Sequence, residues 1–582
     1  MKKEIFLKTI VLLVFLLTSV CATLDTHLFV YPSLSRYLLL EVGAIVLIVV
    51  WLFKSFVDKG SMFLTKCQLF VVMWFGYVVF HGFISQTCEL YRTVYLCVTL
   101  ALILALANLQ KRKCISRSSV ETILLAVAGL NVVYVILQKV GVLVSGNIYF
   151  EVTGCNENPT VTALYLVGCL PIMFDRCKDS TRRLALYVFL SLSVVCIVLL
   201  RCRTAYIGLA VEVVVLLSMR LKSVYKCGRV NAFYLCMVGV VFLSLAFVAG
   251  YKMYSMKQDS ADGRMLIWKL SAEMVVDRPI GHGYGLFEKY YNLKQADYFA
   301  TRDYSANERK NATFVFMPYN DYLEHGVEGG VVGMLFLFAF YFVMWSKALR
   351  MNDPKSMAVF CAFAIMSLFN FVYTSILPWF LIICHASFVV AAEDGKPICK
   401  CSQCLASVAM LVPISFLSVM VLGMATAQLK LGKLEHITQS DGYVGDMRFG
   451  ALEPAIGTSE AFWTKRATNS INQHHYEDAL SSIRMARKYS SLPGLFMMEY
   501  KCMVAKVNDD KAVACLDTIS FMLPRNLAIK HMLMRYYADK NQIRKALFYA
   551  DDILATGYKV WSEEAAFLTN QAKRFKEAYE KE

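Results

Sequence analysis

The chain has 582 residues, 57% of them hydrophobic and 18% charged, with a mean hydropathy of +0.50. That is too apolar for an ordinary water-soluble protein. The formal charge of +16 does not call for a nucleic acid, because much of the basic excess falls in short loops between apolar runs, as in membrane proteins.

Runs of roughly 17 to 25 mostly apolar residues recur, long enough to cross a hydrocarbon core of about 30 Å as helices. Thirteen are predicted, near 8–24, 37–53, 68–86, 91–108, 120–144, 159–175, 184–200, 204–219, 231–250, 329–347, 356–374, 376–392 and 405–427. The expected class is therefore all-α, a polytopic membrane protein with about 13 transmembrane helices. The first run has a second reading. Lys2, Lys3 and Lys8 precede an apolar stretch ending near Val20-Cys21-Ala22, which also suits a signal peptide.

With the N-terminus placed in the cytoplasm, the alternate loops 54–66, 110–117, 175–183, 220–229, 347–355 and 393–404 all carry basic residues. The loops near 25–36, 87–90, 145–158 and 375 are poor in Lys and Arg. This asymmetry sets the orientation. It places the polar interval Tyr251–Glu328 outside, and the odd number of spans places the C-terminus there too.

Many of the nineteen cysteines lie inside the predicted spans, where Cys behaves as a small apolar residue. Cys399-x-Cys401-x-x-Cys404 has metal-like spacing without a convincing fourth ligand, so no metal centre is expected. Cys88 with Cys155, and Cys502 with Cys515, lie on the outer side and suit pairing if that compartment is oxidising.

Composition changes after Gln428. Residues 1–428 read as the membrane domain, 429–458 as a polar, glycine-containing linker, and 459–582 as a domain of amphipathic helices. Ala479, Ala512 and Ala546 stand 33 and 34 residues apart, each followed at fixed offsets by apolar residues: Ile483, Leu516 and Ala550, then Ala486, Ile519 and Ile553. Pro493 and Pro524 close the first two units. The spacing resembles the tetratricopeptide repeat, in which a small residue lets paired helices approach. A generic helical bundle is the alternative. Either is a binding or docking module rather than a catalytic one.

Four stretches carry chemistry, and in this order they resemble the superfamily of O-antigen ligases and O-antigen polymerases, bacterial membrane glycosyltransferases. Asn158-Pro159-Thr160 followed by Ala163-Leu164-Tyr165 looks like the family's Asn-Pro-Asn…Ala start of a span. Arg203-Thr204-Ala205-Tyr206-Ile207-Gly208 looks like its Ser-Arg-x-Ala-x-x-Gly turn. Arg264…Trp268…Pro279-Ile280-Gly281-His282-Gly283-Tyr284-Gly285-Leu286-Phe287 is similar to the signature of its large outer loop. Tyr319-Asn320-Asp321-Tyr322-Leu323…Glu328-x-Gly330-x-x-Gly333 looks like the loop's end. The motifs span roughly residues 150–345.

The resemblance implies a donor glycan on a polyprenyl pyrophosphate and an acceptor that is a glycan, a lipid or a protein. It implies an outer-face site in a bacterial inner membrane; no metal-binding constellation stands out in the loop, so transfer is expected to need no metal, and no cofactor is expected. Arg203 and Arg264 are then expected to clamp the pyrophosphate leaving group through charge-assisted hydrogen bonds, with Arg201 nearby. The bland alternative for Arg201 and Arg203 is snorkelling to headgroups. The ligase branch has His where this chain has Tyr319, and tyrosine, with an ordinary pKa of about 10, is a poor base near neutral pH. Glu328 is favoured as the base from its motif position, against the alternative of a carboxylate at a helix start. Trp268, His282, Asn320, Asp321 and Asn158 are the expected substrate-binding residues. The glycines permit close backbone approach. A non-enzymatic glycan transporter or assembly scaffold is the rival, disfavoured because few ionisable residues line the spans and no paired pattern of broken helices is evident.

Overall fold

The computed structural model describes residues 2–24, 32–57, 61–85, 87–179, 183–226, 258–393, 399–439, 446–556 and 561–579. The ninth predicted span, 231–250, and the start of the polar interval, 251–257, lie outside them. In chain order the elements are α1 (Lys2–Cys21), α2 (Pro32–Val57), β1 (Ser61–Leu64), α3 (Lys66–Ile84), α4 (Leu90–Lys111), α5 (Arg117–Lys139), α6 (Pro159–Asp179), α7 (Arg183–Leu199) and α8 (Arg203–Lys226). Then come α9 (Gln258–Asp277), α10 (Phe287–Thr301), α11 (Ala306–Asn311), α12 (Asp321–Arg350), α13 (Pro354–Met366), α14 (Ile376–Ala391), β2 (Cys399–Ser402) and α15 (Gln403–Gln439). The C-terminal part holds α16 (Asp446–Gly450), α17 (Glu453–Ile456), α18 (Glu460–Asn472), α19 (Tyr476–Ala486), α20 (Pro493–Ala505), α21 (Asp509–Met522), α22 (Leu527–Asp539), α23 (Ile543–Thr556) and α24 (Glu563–Tyr579). The fold is helical, with one small addition to the all-α expectation: β1 and β2 form a four-residue antiparallel ribbon.

Among the described residues, seven helices are long and apolar enough to cross a membrane, and four more apolar helices are shorter. Among these residues the expected count of thirteen full-length spans is thus not reached. The run expected at 356–374 illustrates why. Its helix, α13, stops at Met366 because the Ser367 carbonyl accepts from the Asp321 N–H (2.8 Å). The Asp321 carboxylate in turn accepts from the N–H groups of Val372 and Tyr373 at 3.0–3.3 Å. Residues 367–375 thus form an apolar but irregular turn, its backbone satisfied by a buried carboxylate rather than by a helix.

The centre of the bundle is α14, buried from Ile376 to Val390, packed against α4, buried from Val94 to Ala107. Between helices in lipid, burial of apolar surface is not itself a driving force, so close packing and polar ties carry association. Trp379 supplies both: its ring lies among Trp74 and Phe340, and its indole donates to Thr99 (3.3 Å).

The two ends of the bundle differ. At one, Arg117 forks onto Asp353 (2.7 and 3.1 Å) and reaches Glu121, which also takes Lys355, while Lys347 pairs with Glu393. These are the loops expected to be basic and inside. At the other, the Glu89 N–H before α4 donates to the Tyr284 carbonyl (2.9 Å), Glu328 of α12 accepts from the Phe287 N–H (3.2 Å), and Tyr37 of α2 donates to the Thr374 carbonyl just before α14.

Further along, α15 continues without interruption to Gln439, so the boundary expected at 428 falls inside a helix. The proposed linker also includes α16 and α17, and Phe449, Leu452 and Ile456 in this stretch are buried in the main core. From α18 to α24 each helix packs on the next. Ala479, Ala512 and Ala546 lie buried on α19, α21 and α23, as do the apolar residues that follow them. Cys88, Cys155, Cys502 and Cys515 are all free thiols, contrary to the pairing considered above. For the second pair the reason is packing: Cys502 and Cys515 sit in different apolar clusters.

Candidate active site

The polar interval does not end where a span begins. Its last residues, Asp321 to Gly329, are helical and continue into the apolar part of α12 through a break at Gly330, where φ is +68° and ψ is −175°. Asn320 caps the start, its side chain accepting from the Leu323 N–H (3.1 Å). The break frees backbone groups that must find other partners. The glycine stretch supplies them. His282 and Gly283 donate to the carbonyls of Val327 and Glu328 (2.8 and 2.9 Å), and Val331 donates to Pro279 (2.9 Å). The two backbones touch: a Cβ on Gly330 would lie 2.4 Å from the Pro279 oxygen, and one on Gly281 would lie 2.3 Å from the Gly330 nitrogen. The glycine spacing therefore serves a backbone-to-backbone seam between the loop and a broken helix.

Arg264 lies on α9. Its guanidinium donates to the Phe369 carbonyl (3.0 Å) in the 367–375 turn and stacks over the Tyr319 ring, 4.9 Å from its centre. Tyr319 sits at positive φ (54°) and packs edge-on against Phe371. Trp268, one turn along α9, donates to the Pro318 carbonyl (2.9 Å) and tilts onto Phe369. Arg203 approaches from the start of α8. Burial lowers the Arg264 pKa, and the neighbouring Arg203 cation lowers it further, against Tyr319 and Cys202. The two arginines, from different elements, are thus close enough for one cation to depress the other's pKa, a surplus of positive charge that favours a nearby anion. Among the described residues no group of His, Cys, Asp and Glu is arranged to hold a metal ion.

The other expected residues fall elsewhere. Arg201 is exposed at positive φ (50°), close enough to Glu151 to lower its pKa. Asn158 accepts from the Thr160 N–H (2.9 Å) at the start of α6. His282 stacks on Tyr290, 4.1 Å between ring centres. Burial, with Arg278 and Lys289 nearby, pulls its imidazole down to about 4, so it is neutral at physiological pH. Asp321 is consumed in holding the 367–375 turn. Glu328 is buried, with one oxygen accepting from the Phe287 N–H (3.2 Å) and the other from the Tyr373 hydroxyl (3.1 Å). Both oxygens are engaged, so the packing makes it an anchor of the glycine stretch.

Around Glu328 the structure assembles a second cluster that sequence reading missed. Arg92, at the start of α4, donates to the Tyr37 hydroxyl (3.3 Å), and Tyr37 donates to the Thr374 carbonyl. The Tyr373 hydroxyl also lies 3.5 Å from Glu324. Glu89 stands beside Arg92; burial lifts its carboxyl to about 7, with Arg92 opposing and Glu328, Glu460 and Glu288 adding to the rise. Nearby, Arg36 reaches the Asn156 side chain (3.2 Å) and the Cys155 carbonyl (3.3 Å). The available signal was the one that singled out Arg203: an arginine at a span end otherwise poor in basic residues.

A family model described as O-Antigen ligase matches residues 186–338. The matched stretch includes Arg201, Arg203, Arg264, the glycine stretch, Tyr319 and Glu328. No curated protein matches the chain. The family match supports glycan transfer of the O-antigen ligase type in general terms, and the apolar helices support a multi-pass membrane protein.

Proposed function

We propose that the chain transfers a glycan from a polyprenyl-pyrophosphate carrier to an acceptor hydroxyl at the periplasmic face of a bacterial inner membrane. The observation that carries this reading is Arg264, held between the Phe369 carbonyl and the Tyr319 ring with Arg203 near, inside the stretch similar to O-antigen ligase. In the reaction the bond from the anomeric carbon to the pyrophosphate oxygen breaks, the acceptor oxygen bonds to that carbon, and the acceptor proton passes to the departing pyrophosphate. Negative charge gathers on the pyrophosphate. Guanidiniums from α8 and α9 offer it charge-assisted hydrogen bonds, and the one on α9 is already held in place. Arg264 is preset by the Phe369 carbonyl on one side and the Tyr319 ring on the other. Tyr319 replaces the histidine of the ligase branch, and its hydroxyl serves to orient the acceptor rather than to deprotonate it. The acceptor is lipid A-core, a growing glycan or a protein hydroxyl. The C-terminal helices, read as tetratricopeptide-like repeats on the same side, favour a protein acceptor or assembly partner.

The test is Arg264→Ala, assayed in vesicles loaded with lipid-linked glycan donor. Transfer is expected to fall about 100-fold or more at normal protein level, with Arg264→Lys intermediate because it keeps the charge but loses the fork. Undiminished transfer by the alanine variant sinks the proposal.

A further inference from the structure

The C-terminal helices do not stand apart from the site. Helix α10, within the polar interval, has two buried faces. Phe287, Tyr291, Tyr298 and Phe299 pack with Leu270 and Met274 of α9. Ala296, flanked by Leu293, packs instead with Phe496, Leu516, Ile519 and Met522 of α20 and α21. Between the faces sits Gln295, buried and fully used. Its amide donates to the carbonyls of Thr313 (3.0 Å) and Met522 (2.8 Å), and its oxygen accepts from Tyr291 (3.0 Å). Met522 ends α21, so its carbonyl is one that a helix leaves without an internal partner.

A second tie lies at the start of α10. Glu288 accepts from both the N–H and the hydroxyl of Ser491 (3.1 and 2.7 Å). The adjacent Phe287 N–H is held by Glu328, which bonds Tyr373 in the turn whose Phe369 carbonyl holds Arg264. A third tie joins Arg309 to Asp552, and Arg525 to the Lys310 carbonyl (3.1 Å).

We propose that the C-terminal helices position the site in cis, with Gln295 as the positioning residue that locks α10, and through it the glycine seam, to α21. The proposal rests on the glycan-transfer reading, but its central test needs no substrate. The full chain is reconstituted in lipid nanodiscs as wild type, Gln295→Leu and Ala296→Asp. The first variant leaves two buried carbonyls without their donor; the second puts a carboxylate in the apolar seam. Undocking is read by maleimide labelling of Cys515, which is buried in the same apolar cluster as Ala296. Hydrogen exchange is followed at the His282 and Gly283 amides, and kcat and KM are measured with lipid-linked donor.

Faster Cys515 labelling, exchange at 282–283 accelerated about tenfold, and kcat lowered by a similar factor at unchanged acceptor KM are expected. Cys515 opening with no change at 282–283 overturns the proposal, as does a raised acceptor KM at unchanged kcat, which marks a module that only binds. Cys515 shielded in both variants also overturns it, since these residues then do not hold the seam. If wild type shows no transfer while exchange responds as expected, the catalytic reading fails and the positioning stands.

Discussion

At the residue scale, the site depends on side chains whose surroundings contradict their sequence context. Glu89 precedes an apolar span and looks like an ordinary loop carboxylate, yet burial raises it to about 7. The folded protein therefore binds a proton at Glu89 that the unfolded chain, near 4.5, has released. Its contribution to stability is largest at acidic pH, falls as pH rises from about 4.5 to about 7, and levels off above that. Glu89→Gln is accordingly expected to raise the melting temperature at pH 8 and to change it little at pH 4.5, flattening the profile measured in detergent. An equal shift at both pH values would disprove the account. Arg264 shows the other face of this scale. Its identity was legible from the motif, but its setting over Tyr319 and against Phe369 was not, because Phe369 belongs to a turn about a hundred residues away that reads as continuous span.

At the element scale, α12 is two helical pieces joined at a single glycine. The backbone at Gly330 lies where side chains are strained, and the Pro279–Ile280 backbone occupies the space a Cβ would need. Gly330→Ala is expected to cost several kcal/mol, from strain of about 1–3 kcal/mol plus the clash. Gly76→Ala in α3 meets nothing within 4 Å and is expected to be neutral or stabilising by about 0.5–1 kcal/mol. Expression and thermal melting of the pair check this, and similar behaviour of the two variants would rule it out. The glycine pattern was visible in the sequence as permission for close approach. What approaches was not, because the partner of the loop's N–H groups is a carbonyl set freed by the break, and α12 reads as a polar end followed by a span.

At the scale of the whole molecule, the bundle separates a polar clamp at one end from the site at the other. Asp353 is held down to about 2: burial opposes, but the Arg117 guanidinium and Ser356 more than offset it. Asp353→Ala is expected to destabilise the protein by about 3 kcal/mol by leaving Arg117 without its bidentate partner, while donor KM and kcat of the surviving protein stay unchanged. Loss of activity per folded molecule would show that the two ends are coupled. The charge asymmetry that distinguishes the ends follows from composition alone, since basic loops recur at alternate positions. So do the helical class and the repeat spacing of the buried alanines, because local periodicity suffices to specify which face is apolar. The sequence could not determine how far each apolar run stays helical, where α15 stops, or that the C-terminal helices close over α10. Those depend on pairings between distant residues: Asp321 with the 372–373 backbone, Gln295 with Met522, Glu328 with Phe287 and Tyr373. Each satisfies a buried polar group with a partner that only the folded chain brings within hydrogen-bond reach.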